Sequence, residues 1–496
     1  MRYFLHLLNS FKKDTRGVTA IIFALALIPL IGAGGAAIDY SRAFVVQKRL
    51  GQALDAAALA MASSSLTDPQ EIKDLGQTYF DANYPAQEIG APGAIQVTIN
   101  GSTIDASATA QLPTSLMGVI GLDHLDVTAD TQVTKEQTAM EVVLVLDNTG
   151  SMGGSKLADL KDASNLLVDT LFGGETSHPL LKMGLVPFSA SVNVGSQYEN
   201  SGWIDTNKSS PLHGVNFKGN TNIFSQFNKI SNKSWNGCVE ARSYPMDVED
   251  TVPVSGDGST LWVPYFYPDE PDLYGYYHNY LGDAVSGSAS KRQKHKKKYK
   301  NSSVSGSGPH MNCEIAPITP LTNSKNTISN GIDNMVANGS TVIPIGMAWG
   351  WRVISPSEPF TEGAAYNDPD NPTTKAIVLL SDGDNSIGNL SNHNKSWYNG
   401  YGFVSTQVAT NRLNTTNNSQ AHSELNNRLS EVCQNIKDQG VIIFTVAFQI
   451  SSSSTKTLME NCASSAAYYF DASDSSKLLT AFQTIGSELG ELRLSQ

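Results

Sequence analysis

The chain has 496 residues, 40% hydrophobic and 16% charged, enough apolar material for real cores in about three domain-sized units. It is therefore neither a peptide, a bare coiled coil nor a fully disordered chain. Lys and Arg total 34 against 46 Asp and Glu, a net charge of −12, which argues against nucleic-acid binding because phosphate neutralisation needs a basic face.

From Val18 to Ile38 the chain reads VTAIIFALALIPLIGAGGAAI, free of charge and long enough to cross about 30 Å of hydrocarbon as a helix. Arg2, Lys12, Lys13 and Arg16 precede it, and Asp39, Arg42, Lys48 and Arg49 follow, so the positive-inside bias favours a cytoplasmic 1–17 only slightly. The small residues from Gly32 to Ala37 would suit a signal peptidase. Against cleavage, the apolar run exceeds a signal-peptide core, and helical patterning continues through SRAFVVQKRLGQALDAAALAMA. An uncut transmembrane helix over 18–38 and a helical stalk over 39–66 are expected.

Arg16-Gly17 followed by VTAIIFALALIPLIGAGGAAID resembles the start of bacterial TadE/TadG-like pilus-assembly proteins. The resemblance implies a single-pass anchor in the inner membrane, continued as a pilin-like stalk, with the bulk of the chain periplasmic or extracellular. Processed pilin-like members carry Glu five residues after the Gly. Ile22 stands there, so the resemblance implies an uncut, TadG-type anchor.

Residues 67–138 read as a small α+β pilin-like module. Its clearest part, AIQVTINGSTIDASATAQL, is two alternating runs around Asn100-Gly101, a dipeptide that favours a tight hairpin turn. LDVTADTQVTK adds a third run. Nothing in the module carries chemistry.

From Ala139 the pattern changes. MEVVLVLD is a continuous apolar run ending in a carboxylate, the mark of a buried parallel strand. LLKMGLVPF, IVLLSDGD, VIIFTVAF and AAYYFDA read likewise. Between strands, KLADLKDASNLLVDTL, IPIGMAWGWRVI, ELNNRLSEVCQNIKDQ and SKLLTAFQTIGSELGEL carry helical patterning. Such alternation predicts an α/β fold with a doubly wound, mostly parallel sheet over 139–496, whose ligand site lies beyond the C-terminal strand ends.

Two polar stretches interrupt it. Residues 193–311 are expected to form one large insertion, with an aromatic cluster around Tyr265 to Tyr280 and a basic run from Lys291 to Lys300. The basic run reads as a solvated loop tip rather than a polyanion site, and the tyrosines as either a partner surface or the insertion's own core. Residues 387–422 form a shorter excursion. His278, His295, His310 and His393 fall in loops, where exposure is the default.

Cys238, Cys313, Cys433 and Cys462 allow three pairings. Without a C-x-x-C or suitable His spacing, a thiolate metal site is not expected. In a periplasmic chain, disulfides Cys238–Cys313 and Cys433–Cys462 are the expected set, the first stapling the insertion and the second joining two helices that flank one strand; the alternative is four buried reduced thiols.

At the end of the first strand stands Asp147-Asn148-Thr149-Gly150-Ser151. One carboxylate and two hydroxyls at alternating positions can present oxygens to one point, as Mg²⁺ requires. Asp382 ends another strand, and Thr341 precedes a helix in which Pro344 suits the first turn. This arrangement resembles the von Willebrand factor A domain and its metal-ion-dependent adhesion site, D-x-S-x-S with a distant Thr and a distant Asp. Carried over, the ligands fall on Asp147, Thr149, Ser151, Thr341 and Asp382, with Thr149 in place of a Ser. The resemblance implies Mg²⁺ or Mn²⁺ with one position open to a carboxylate of a protein partner, and binding without bond cleavage.

Alternatives remain at this point: the same residues as helix caps in a metal-independent scaffold, or a hydrolase on the same sheet. A haloacid-dehalogenase-like phosphatase would need Asp where Thr149 stands. An EF-hand starting at Asp382 would need Gly and Glu where Ile387 and His393 stand. No G-x-S-x-G, Walker loop or H-E-x-x-H occurs. The expectation is a non-enzymatic, membrane-anchored component of tight-adherence (Flp) pilus assembly, anchoring or adhesion.

Overall fold

The computed structural model describes residues 16–494 apart from 65, 67, 86–89, 101–102, 135–137, 220, 271–278, 283–295, 301, 392, 407–409 and 411. The chain divides into two compact units, Met1–Gln137 with Leu494–Gln496, and Thr138–Arg493.

The first unit is built on helix α1 (Arg16–Ser63), which is continuous through Pro29. Its character changes along its length. Ile21, Ile22, Phe23, Leu25 and Leu30 are exposed, whereas Val46, Leu50, Leu54, Ala57, Ala58 and Met61 recur at helical spacing and are buried. They pack with Ile72 and Phe80 of helix α2 (Pro69–Asn83) and with a four-stranded sheet. Asp68 caps α2 by accepting hydrogen bonds from the backbone N–H groups of Gln70 and Glu71. In the sheet, β2 (Thr103–Pro113) lies between β1 (Gln96–Asn100) and β3 (His124–Thr134), and all pairings are antiparallel. Ala91–Pro92 extends the β1 edge. The register Asn100↔Thr103 closes a hairpin; its expected turn at Gly101 lies outside the described residues. Ile104, Ala106, Ala108, Ala110 and Leu112 alternate inward along β2.

The second unit is the doubly wound sheet. Its strands are β4 (Ala139–Asp147), β5 (Leu181–Phe188), β6 (Thr319–Thr322), β7 (Thr373–Ser381), β8 (Ile442–Phe448) and β9 (Tyr469–Ala472). They run in the order β9-β8-β7-β4-β5, all parallel, with β6 antiparallel on β5. β4 is apolar on both faces because both are covered. Met140, Val142, Leu144 and Leu146 face helices α3 (Ser155–Phe172), α4 (Lys325–Asp333) and α8 (Ser475–Leu494). Val143 and Val145 face α5 (Ile343–Ile354), α6 (Asn418–Asp438) and α7 (Ser453–Cys462). Gly350 lets α5 approach closely, since a Cβ there would lie 2.4 Å from Val145 Cγ2.

β6 and α4 were not anticipated. The TPLT strand is too short and too polar for the apolar-run criterion, and its antiparallel place at the edge supplies no alternation to read.

The excursion expected over 193–311 fills the chain between β5 and β6. Two short strands, Val192–Asn193 and Cys238–Val239, extend the sheet beyond β5. Tyr265, Tyr267 and Tyr280 are buried, and Trp262, Phe266, Phe217 and Tyr299 pack in the same region. The described tyrosines are therefore internal core rather than a partner surface. Of the basic run, residues 291–295 lie outside the described set, as do His278 and His295; Lys298 pairs with buried Asp269 at 2.6 Å. His310 departs from expectation: it is buried, with Nε2 2.7 Å from the Ser234 carbonyl. Both expected disulfides form, Cys238–Cys313 and Cys433–Cys462.

Candidate metal centre

The strand order reverses direction between β4 and β7, and a doubly wound sheet opens a crevice at the C-terminal ends of such a pair. The register pairs Leu146 with Leu380, so Asp147 at the end of β4 stands beside Ser381 and Asp382 at the end of β7. Asp147 is fully buried. Its Oδ1 accepts from the Thr149 backbone N–H at 2.8 Å, and its Oδ2 from the Ser381 hydroxyl at 2.6 Å. The Thr149 and Ser151 hydroxyl oxygens lie 2.9 Å apart. Ser151 Oγ donates to Asp382 Oδ1 at 2.7 Å, and Lys156 Nζ, from the first turn of α3, donates to Asp382 Oδ2 at 2.7 Å.

Thr341 arrives on a third loop. The Gly150 N–H donates to the Gly339 carbonyl at 2.9 Å, the Asn338 N–H to the Asn148 carbonyl at 2.7 Å, and the Ser386 N–H to the Thr341 carbonyl at 2.7 Å. This loop is thus tied to both carboxylate-bearing loops. Gly339 has φ +84°, and a Cβ there would lie 2.7 Å from the Asn312 carbonyl oxygen, so the bend requires glycine. Thr341 is buried. Its neighbour Ser340 holds a buried hydroxyl without a partner among the described residues.

Asp147, Thr149, Ser151 and Asp382 are therefore linked side chain to side chain or through one backbone amide, and Thr341 joins them through its loop. The helix-capping alternative is not realised for the two hydroxyls: α3 is capped at Gly154, without a side-chain bond. Sequence reasoning missed Lys156, Ser381 and Ser340. Ser381 was legible in principle, as the residue before Asp382 on the same strand end. Lys156 was hidden because the helical pattern explains a surface lysine equally well.

Burial pushes the Asp147 carboxyl up to about 6, and the neighbouring Asp382 charge adds to the rise, while hydrogen bonds from Ser381 and Thr149 oppose it. A carboxyl raised in the folded state favours folding at low pH. That contribution is fully present below the unfolded value near 3.8 and is lost as pH rises through about 6.

The donor set fits a hard divalent cation. Two carboxylates and three hydroxyls are all oxygen ligands. The 2.9 Å between the Thr149 and Ser151 oxygens equals the separation of about 2.9 Å for adjacent donors around an octahedral ion at roughly 2.0 to 2.1 Å. Among the described residues no group of three or more His, Cys, Asp or Glu could hold a metal, so this set is hydroxyl-rich rather than a carboxylate cage.

Sheet order, strand-end loops and oxygen cluster together define a doubly wound α/β domain with a hydroxyl-rich oxygen cluster at its β4/β7 switch point. At the other end of the chain, residues 17–63 match the family Flp pilus-assembly TadE/G-like. No curated protein matches the chain. Among solved structures, the pilus adhesin SpaC from Lactobacillus rhamnosus GG aligns with 82% of this chain and 35% of its own, at 11% identity and a TM-score of 0.33. This chain thus spans about a third of that adhesin. The vWF domain of the type V pili tip protein Mfa5 from Porphyromonas gingivalis aligns with 73% of this chain and 97% of its own, at 9% identity and 0.35. Proximal thread matrix protein 1 from the mussel byssus, with a zinc-occupied MIDAS motif, covers 71% of this chain and 47% of its own, at 14% identity and 0.30. At these scores the fold rests on the strand order itself.

Proposed function

We propose that this chain is a membrane-anchored, metal-dependent protein-binding component of Flp-type pilus assembly, anchoring or adhesion. In this reading residues 1–17 are cytoplasmic, 18–38 span the bacterial inner membrane, 39–66 form the stalk, 67–138 the pilin-like module and 139–496 the binding domain. The Flp family match over 17–63 supports the pilus assignment. A helix long and apolar enough to cross a membrane, little buried, supports the anchor. Two disulfides suit an oxidising compartment outside the cytoplasm.

The observation that carries the metal reading is the convergence of Asp147, Thr149, Ser151 and Asp382 at the β4/β7 strand ends. Asp147 and Asp382 would supply charge to Mg²⁺, or Mn²⁺, while Thr149, Ser151 and Thr341 supply neutral oxygens. The bound ion supplies an electrophilic point for a partner's carboxylate. Asp147 lies deep and Ser151 is exposed, so the set opens to a partner at Ser151. No bond need break; recognition is the function.

One observation favours a second reading, a metal-independent scaffold: Lys156 already neutralises Asp382. The two readings separate on the full chain in lipid nanodiscs. Titration with Mg²⁺ is expected to release or absorb heat and raise the unfolding temperature, and EDTA to abolish cross-links to pilus subunits. Unchanged stability and cross-links under both treatments would leave the scaffold.

Protons compete with the metal for Asp147. With that carboxyl at about 6, Mg²⁺ affinity is expected to fall about tenfold between pH 7 and pH 5. Calorimetric titration at the two pH values reads this directly.

A further inference from the structure

The β2–β3 connection reads LMGVIGL from Leu116 to Leu122, a run without a polar side chain. Its position along α1 is fixed by contacts. Gln47 donates to the Thr128 carbonyl, and Arg42 to the Pro113 carbonyl, each at 3.4 Å. The Asp39 carboxylate accepts from the backbone N–H groups of Ser115, Leu116 and Met117 at 2.9, 3.0 and 3.0 Å. At Gly35 a Cβ would lie 2.4 Å from Leu116 Cβ. From Gln47 to Gly35, about 18 Å of helix, the strands therefore travel down α1 toward its exposed apolar half and turn round beside it. Leu116 sits next to Gly35, roughly 4–5 Å inside the charge-free segment that ends at Ile38.

The loop is also built for a dry surrounding, where unpaired backbone groups are costly. Asp39 takes the amides of Leu116 and Met117, and that of Ser115 just before the loop. The Thr114 N–H donates to the Asp123 carbonyl, that of Gly121 to Gly118 and that of Leu122 to Met117, at 3.1, 3.1 and 3.2 Å. Gly121, at φ +89°, makes the bend that returns the chain to β3. Leu122 is 46% exposed, with Asp123 and His124 directly beyond it.

We propose that the loop from Leu116 to Leu122 is a second membrane contact, seated at the headgroup–acyl boundary of the bilayer that α1 crosses. The occupant of this surface is lipid, because Leu116 lies against Gly35 within the charge-free segment of α1 and Leu122 is exposed. A loop held to the helix by Asp39 and Arg42 would fix the depth and rotation of α1 in the bilayer, which a lone helix leaves to its flanking residues. The proposal rests on the anchored reading above.

All four native cysteines are paired, so single cysteines introduced by L122C, L25C and D74C accept a fluorophore selectively. The full chain is reconstituted at one copy per nanodisc of phosphatidylcholine, with a nitroxide lipid as the membrane quencher and iodide as the aqueous one. The label at position 122 is expected to be quenched by the nitroxide to an extent comparable with that at 25 and to be protected from iodide; the label at 74 is expected to show the reverse. Quenching at 25 without quenching at 122 overturns the loop contact and leaves the anchor standing. Quenching at neither overturns both. A label at 122 shielded from both quenchers would mean that protein covers the loop, which also overturns the proposal.

Discussion

Glu141→Ala is expected to lower the unfolding free energy of the second unit by about 3–5 kcal/mol, the cost of leaving a buried charge alone. Glu141 and Lys375 face each other in register at the start of β4 and β7. Their side chains are almost fully buried and form an ion pair. Lys375 Nζ also donates to the Ile354 carbonyl at 2.9 Å, and the Ala364 N–H donates to Glu141 Oε1 at 2.9 Å. Burial pulls the Lys375 ammonium below its ordinary value, and Glu141 opposes that fall. Without Glu141 the ammonium has no carboxylate, and α5 and the Ala364 loop lose a shared anchor. Denaturant unfolding measures the loss. The double variant E141M/K375M is expected to recover most of it, because an apolar pair of similar volume replaces the ions. A loss below about 1 kcal/mol for Glu141→Ala would show that water reaches the pair and screens it.

Asp147→Ala is expected to weaken Mg²⁺ binding by more than about 100-fold, beyond the 10- to 100-fold typical of losing an outer-shell partner. The buried carboxylate supplies one of only two negative charges in the donor set, and the other is shared with Lys156. Lys156→Met should act in the opposite direction, tightening the metal by removing a competing cation from Asp382. Calorimetry on the full chain reads both. Equal Mg²⁺ heats from the wild type and Asp147→Ala would place the ion elsewhere.

These two pairs of groups show what the sequence could and could not reveal. MEVVLVLD announces a buried parallel strand, and its terminal Asp, with Asp382 after IVLLS, marks the strand-end crevice because doubly wound sheets place ligands there. The same reasoning located Thr149, Ser151 and Thr341 on converging loops. It was silent on Lys375 and Glu141, since a charge at a strand start looks solvated until both faces are covered. It was silent also on Lys156 and Ser381, whose roles depend on register across residues far apart in the chain. β6 escaped because four residues of mixed polarity at a sheet edge carry no period. His310 was misplaced because loop residues are exposed by default, whereas this loop folds over a core of aromatic side chains.

The disulfides have a mechanical consequence if the chain is pulled. Cys238 and Cys313 are separated by 75 residues, and Cys433 and Cys462 by 29. Each bond removes its loop from the length that can pay out under load. At roughly 3.4 Å per residue these withheld lengths are about 250 Å and about 100 Å. An oxidised chain therefore ruptures with a shorter extension than a reduced one. Even after the sheet around the crevice has torn, the insertion and the α6–α7 pair remain as closed covalent rings from which the fold can re-form once tension falls.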